Sequence, residues 1–463
     1  MAFSIAVLVV LAWGLLAFGA VYPWAYWPLL AGAVATGLWG WWIGRPDRAD
    51  RGERVGKGLT PVATGLLLVT LAGLIQLASL PRPTLARVSP AAVALLDQLS
   101  VPFATGAIVA HPLSVDPEAT RVAMAFLVSL AIFLLGLTRG LSVVGARPIT
   151  AGVVTLGLVA ALIAIIQRAF VTDKIYGFWT PVFRTQPYGT FVNRNHFAGW
   201  MVMALALALG YFGGRLARAM RGVKPTWRDR VLWWSSPAAN QLVLVATAIV
   251  IMGVALVLSL SRSGFTCFLL AIALTGWAIA RRQTTGARKA AGLAYLVFVV
   301  FLALGWAGVD ALARRFAAPQ WFDMQGRLGA WDDALRVAGE FWLTGTGLNT
   351  YGTTMLVYQA HGLESHYVQA HNDYLQLAAE GGLLVGVPIV VAIVLFARDV
   401  RCRFRERADD TTTYWLRVGA VTGLLAIALQ ETVDFSLQMP GNAALFVVLA
   451  AIALHRAPAM RKS

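Results

Sequence analysis

Charge is what this sequence has least of. Only 13% of its 463 residues are Asp, Glu, Lys or Arg, against the roughly 25% usual in soluble domains. Hydrophobic residues make up 58%, and the mean hydropathy is +0.68. That shortage excludes an ordinary soluble domain. The sequence also lacks the short alternating strands of a membrane barrel; its apolar residues come in continuous Leu/Ala/Val runs of membrane-spanning length. Cysteine is nearly absent: Cys267 falls in an apolar run and Cys402 in a basic loop on the opposite side of the membrane, so no disulfide within the chain is expected. The stretch Met1–Tyr22 has no Lys or Arg, which argues for a retained first helix rather than a removable signal. Low-complexity segments and clear internal repeats are missing as well.

The fold class expected is therefore all-α, a polytopic membrane helical bundle forming a single membrane domain over residues 1–463. About twelve spans are legible: Phe3–Ala20, Pro23–Ile43, Leu59–Leu80, Val122–Leu137, Ile149–Ile166, Phe197–Phe212, Leu242–Leu260, Phe265–Ala280, Ala291–Gly308, Tyr374–Ala397, Leu416–Ala428 and Ala443–Leu454. Acidic residues are outnumbered 22 to 38, for a net charge of +16. The excess does not point to nucleic acid, because about two thirds of the Lys and Arg sit in alternate short loops, where they set orientation. That pattern places both termini in the cytoplasm. It puts the chemically rich loops 167–195, Ser261–Gly264 and 309–372 together on the outer face. Pro81–Thr120, on the same face, reads as a polar, proline-bearing loop.

That outer face should hold few cations, yet Arg184, Arg194, Arg262 and Arg327 are there. Arg262 lies within a turn of two spans. An arginine at such a boundary ordinarily snorkels to lipid headgroups. Here Ser261, Ser263 and Gly264 flank it: small residues permit close approach of another backbone or a ligand, two hydroxyls can bond phosphate oxygens, and guanidinium suits bidentate phosphate recognition. The stretch Phe183–Trp200 adds Asn193 and Asn195. Its aromatics Tyr188, Phe191 and Phe197 are placed by default in the interfacial aromatic belt, with stacking on sugars as the alternative. His196 reads as a helix-start hydrogen-bonder. Glycines in Gly326–Trp331 and Leu343–Tyr351 indicate tight turns, but no strand precedes them, so a nucleotide fold is not implied.

Three of the six histidines, His361, His366 and His371, fall in His361–Gly386, where the longest outer loop becomes a span. Asn372 is placed as the N-cap of that span, whose free N–H groups favour a nearby anion. A neutral His371 beside it can take a proton from a sugar hydroxyl, since an unperturbed imidazole titrates near working pH; a structural histidine bonding a loop carbonyl is the plainer alternative. The spacing of five between these histidines does not match a zinc-binding helix, so no metal or other cofactor is expected.

Five motifs occur in order: GTFVNRNHFAG (Gly189–Gly199), SLSRSG (Ser259–Gly264), GRLGAW (Gly326–Trp331), LTGTGLNTY (Leu343–Tyr351) and HNDYLQLAAEGG (His371–Gly382). Together they resemble the O-antigen ligase and polymerase superfamily across roughly residues 180–400. The resemblance implies a GT-C-type glycosyltransferase of the bacterial inner membrane with a periplasmic site. It implies a metal-independent transfer of a glycan from undecaprenyl diphosphate to an acceptor hydroxyl, on a lipid A core or a polysaccharide, in lipopolysaccharide or exopolysaccharide biosynthesis. By the same resemblance His371 is the essential histidine, Arg262 one diphosphate-binding arginine, and Arg184 or Arg194 the other. Asn372, Ser261, Ser263, Asn193, Asn195 and Arg327 are supporting candidates. Val385 stands where the ligase pattern carries a small or hydroxylic residue, so ligase and Wzy-type polymerase both stay open. A lipid-linked glycan flippase would need polar residues along a path through several spans, and the spans read as apolar. A non-catalytic scaffold would leave the arginines and His371 on one face unexplained.

Overall fold

The computed structural model of the chain describes residues 1–45, 60–170, 174–181, 186–219, 228, 235–280, 321–406 and 411–456. Sixteen α-helices lie among them. They are α1 (Ala2–Leu16), α2 (Pro23–Ile43), α3 (Pro61–Gln76), α4 (Arg82–Val88), α5 (Pro90–Leu99), α6 (Val101–Ala104), α7 (Pro117–Val144) and α8 (Arg147–Ala169), followed by α9 (Arg194–Ala219), α10 (Pro237–Leu258), α11 (Arg262–Ala280), α12 (Trp321–Glu340), α13 (Tyr351–Tyr358), α14 (Asp373–Arg403), α15 (Thr411–Gln430) and α16 (Pro440–Leu454). Each expected span falls on one of these helices except Ala291–Gly308, which lies outside the described residues, as does Arg184.

Six helices, α7, α8, α9, α10, α14 and α15, are long and apolar enough to cross a membrane. The protein is a multi-pass helical membrane protein. Helix α2 carries exposed Trp24 and Trp27 near one end and exposed Trp41 and Trp42 near the other, about 25 Å apart at 1.5 Å per residue. Amphipathic rings at that separation suit the two interfaces of a bilayer. Helix starts follow from sequence: proline stands in the first turn of α2, α3, α7, α8, α10 and α16, where its missing N–H costs nothing. Thr60, Asp116 and Ser236 cap α3, α7 and α10 by accepting N–H bonds from Ala63, Ala119 and Ala239.

Helix α9 is the hub, with every residue from His196 to Ala208 buried. Because lipid is as apolar as leucine, helices in a membrane gain by close backbone approach at small residues. At the α9–α15 crossing a Cβ on Gly210 would lie 2.5 Å from the Trp415 carbonyl oxygen; at the α2–α7 crossing one on Gly37 would lie 2.6 Å from that of Ile132. At the bundle end away from the site, fully buried Arg417 donates to the carbonyls of Arg403 (3.1 Å), Ala453 (3.0 Å) and His455 (2.9 Å). One guanidinium thus satisfies orphan carbonyls at the C-termini of α14 and α16.

The stretch Pro81–Thr120 is not a plain loop. It holds α4 to α6 and the start of α7, and a short antiparallel pair joins Ser79–Pro81 to Ala110–Pro112. Pro83, Pro90 and Pro102 stand in the first turns of α4, α5 and α6. Leu85, Leu95, Leu96 and Phe103 pack with Val337, Phe341, Tyr351 and Met355 from the second outer stretch, so the two supposed loops form one helical layer. Arg82 ties the layer internally, reaching Asp97 at 2.8 Å and the Phe103 carbonyl at 2.8 Å.

Candidate functional site

The starts of α9, α11, α14 and α16 and the ends of α10 and α15 meet at one end of the bundle, under that layer. His371 stands at the mouth of α14 with φ +53°. A side chain with a Cβ rarely adopts this left-handed backbone, and non-glycine strain of this kind concentrates at functional sites. The strained residue is gripped from both sides. Before it, Gln376 accepts the Ala370 N–H at 3.0 Å. After it, Asn372 caps α14, accepting the N–H groups of Tyr374 (3.0 Å) and Leu375 (3.1 Å), and the Glu431 carbonyl accepts the Asp373 N–H at 3.0 Å.

The HNDYLQLAAEGG and LTGTGLNTY motifs turn out to be one device. At the end of the first, buried Glu380 accepts the N–H of Asn349 (2.8 Å) with one oxygen, and with the other the N–H of Tyr351 (3.0 Å) and the Gln376 amide (3.0 Å). A carboxylate at the N-terminus of α13 satisfies orphan donors and suits the helix dipole. Gln76 completes the clamp, donating to the carbonyls of Thr344 and Glu380, both at 2.8 Å. The glycines are steric. At Gly382 (φ +53°) helix α14 breaks, freeing Leu383 and Leu384 N–H groups to bond Trp342 and Leu343 carbonyls. A Cβ on Gly345 would lie 2.1 Å from the Glu380 carbonyl oxygen. These glycines hold a helix break in place and leave no phosphate cradle.

In and just before the GTFVNRNHFAG motif, Tyr188, Phe191 and Phe197 are 6%, 1% and 0% exposed. That corrects both sequence readings of them: they neither stack on sugar nor sit in the belt. They form an edge-to-face cluster, and the Tyr188 hydroxyl donates to the Ala255 carbonyl at 3.0 Å. Asn193 accepts the Asn195 N–H at 2.8 Å and so shapes the first turn of α9, while the Arg194 N–H bonds the Gln186 carbonyl at 2.9 Å. His196 is not a hydrogen-bonder: among the described residues neither ring nitrogen makes such a bond. It is buried, its Nε2 lies 3.8 Å from Asp434, and its ring packs on Phe435.

Arg262 opens α11, preceded by Leu260 at φ +54°. Ser261, 2% exposed, is 3.5 Å from the Ser263 hydroxyl and accepts the Gly264 N–H at 3.3 Å. Gly264 lets this turn sit on α9, since a Cβ there would lie 2.7 Å from that of Ala198. The serines therefore build the turn that presents Arg262. Arg327, on α12, lies close enough to Asp434 to act on its charge.

One wall of the site has no counterpart in the sequence reading: the turn from Glu431 to Gln438, between α15 and α16. Phe435 stands between two imidazoles, its ring centroid 4.7 Å from that of His196 and 4.9 Å from that of His371, both edge to face. Gln438 donates to Asp373 at 2.7 Å. Burial, then the charges of Asp373 and Asp434, raise the Glu431 carboxyl well above its ordinary range. The signal available in sequence was two acids and two glutamines within nine residues of a turn between apolar spans.

Burial raises Asp434 to about 6 from 3.8, opposed by the Phe435 N–H and by Arg327. A carboxyl that binds its proton more tightly when folded adds stability as pH falls through 6, and this contribution is lost as pH rises above it. The protein should therefore melt at higher temperature at pH 5 than at pH 8. Asp434→Asn should remove part of that difference, leaving the share due to Glu431. Melting curves in detergent across this range check it, and an unchanged pH dependence in the variant would refute the assignment.

His361 and His366 stand apart from this site. His361 Nδ1 lies 3.0 Å from Asp333, and His366 is exposed. Asp332, Asp333 and His361 could in principle converge on a cation. The Asp333 carboxylate, however, already takes the N–H groups of Ala360 and His361, the His361 ring and Arg336, so the group is a clamp on the turn after α13.

The fold and site together define a multi-pass helical membrane protein with a cluster of polar and titratable groups at one end of the bundle, around a strained histidine at a helix mouth. Residues 247–390 match the family model for O-antigen ligase, which supports the resemblance to the O-antigen ligase superfamily. The match runs from α10 through the break in α14 and stops before the Glu431–Gln438 turn. No curated protein matches the sequence.

Proposed function

We propose that the protein is a glycosyltransferase that moves a glycan from undecaprenyl diphosphate to an acceptor hydroxyl on the periplasmic face of the bacterial inner membrane. The observation that carries this reading is His371, held in a left-handed conformation at the mouth of α14, at the same end of the bundle as Arg262. Its imidazole is the base. It takes the proton of the acceptor hydroxyl as that oxygen bonds the anomeric carbon, and the bond from carbon to the diphosphate oxygen breaks, the diphosphate leaving with the electron pair. Attack opposite the leaving group inverts the anomeric centre. Charge grows on the leaving oxygen, and fixed guanidinium groups stabilise it best where water is scarce. Arg262 has that role, with Arg184 or Arg194 as the second cation. No residue in this scheme calls for a metal.

Reconstitution in proteoliposomes with a defined undecaprenyl-diphosphate glycan tests the reading. Transfer to lipid A core would identify a ligase, and products of growing length a Wzy-type polymerase. No consumption of the donor with either acceptor would overturn the transferase reading. Arg262→Lys should lower turnover by about 10²-fold, because an ammonium cannot reproduce the planar fork on two phosphate oxygens. Wild-type turnover in that variant would remove Arg262 from the diphosphate site.

A further inference from the structure

We propose that the turn Glu431–Gln438 is the positioning element of the site, and that Phe435 sets the plane of the His371 imidazole; this rests on reading His371 as the base. A histidine ring turns about a bond between sp³ and sp² carbons, a broad torsion that the backbone does not fix. A base must nonetheless aim one nitrogen at the acceptor hydroxyl, and small errors of aim are costly. The grip on the backbone at Ala370 and Asp373 places the His371 Cα, and the Phe435 ring, edge to face on the imidazole, bears on its plane.

Its footing is rigid. His196, 3% exposed, belongs to the buried helix α9, and the carbonyls around it are fastened to the far side of the turn. Asn442 donates to the carbonyls of His196 and Ser436, both at 3.0 Å, and Gln430 donates to that of Asn195 at 3.1 Å. Phe435 packs edge to face on this fixed ring, with planes at 74°, and presents its other side to His371 at 76°. The turn is also tied to α14 directly, through Gln438 on Asp373 and the Glu431 carbonyl on the Asp373 N–H. Position thus passes from the bundle core through His196 and Phe435 to the reacting ring. Phe435 touches no substrate in this scheme and acts only through His371.

The test uses the full-length protein in proteoliposomes with the undecaprenyl-diphosphate glycan. Phe435→Leu keeps apolar bulk but loses the flat ring, and should lower kcat at least ~10-fold with KM for the donor unchanged. Phe435→Ala should fall further, and Phe435→Tyr should restore kcat to within about 3-fold of wild type, because the ring face is retained. Wild-type kcat in Phe435→Leu, or a loss confined to KM, would overturn the proposal. If Phe435→Ala does not fold, Leu and Tyr decide between them. His371→Asn separates the two levels. Transfer at the wild-type rate in that variant refutes the base itself, whereas an inactive His371→Asn beside a fully active Phe435→Leu refutes only the positioning role.

Discussion

His371→Ala is expected to lower transfer by roughly 10²–10⁴-fold, the range that a general base contributes, while the protein still inserts and folds. The reason for separating chemistry from folding lies in the backbone. At φ +53° any residue with a Cβ is strained, and Ala inherits the strain as His bears it. Asn tolerates this conformation better than most residues, so His371→Asn should be at least as stable as wild type and equally inactive. Single-turnover transfer measured beside thermal unfolding of the same samples gives both quantities. An inactive protein that melts normally supports the assignment; one that transfers glycan at the wild-type rate rejects it.

Glu380→Ala should produce the largest loss of stability. Its carboxylate accepts three hydrogen bonds, from Asn349, Tyr351 and Gln376, in a position 6% exposed. Removing it strands those donors, at about 1–3 kcal/mol each for a buried unsatisfied group. The total of several kcal/mol is a large part of the stability of a typical protein. Glu380→Gln keeps the shape but turns one acceptor into a donor. Because both carboxylate oxygens receive N–H groups, the amide must face a donor on one side, so this variant should also be strongly destabilised. Thermal unfolding and the monodisperse fraction after detergent extraction check both. Near-native melting of Glu380→Gln would show that the clamp is not what holds α14 against the layer. Activity should fall with stability here, since the break at Gly382 lies about three turns from His371.

These two residues lie nine positions apart in one motif, and they differ in what sequence revealed. His371 was legible because its signal is local: a histidine before a helix-capping asparagine, at the edge of an apolar run. Glu380 reads as one acid within a span, and its partners Asn349 and Tyr351 lie some thirty residues upstream. The glycines of Leu343–Tyr351 suggested exposed N–H groups, but only the fold shows that Glu380 and the α14 carbonyls occupy them. Tyr188, Phe191 and Phe197 were misplaced for a related reason. Depth along a span can be read from hydropathy, whereas burial depends on neighbours: Phe197 lies on the enclosed part of α9, and Tyr188 and Phe191 pack against it.

By itself, the sequence determined that the chain is an all-α multi-pass membrane protein, roughly where the described spanning helices lie, and that its polar chemistry gathers between particular spans. A bilayer leaves the backbone few alternatives, so runs of about twenty apolar residues carry that information without reference to distant partners. Only the tertiary structure decided that Pro81–Thr120 and Trp321–Tyr358 form one packed layer, that Glu380 clamps a helix break, and that the turn Glu431–Gln438 closes around His371. Each of these depends on residues brought together from some thirty to more than two hundred positions apart, by packing and hydrogen bonds that no local pattern encodes.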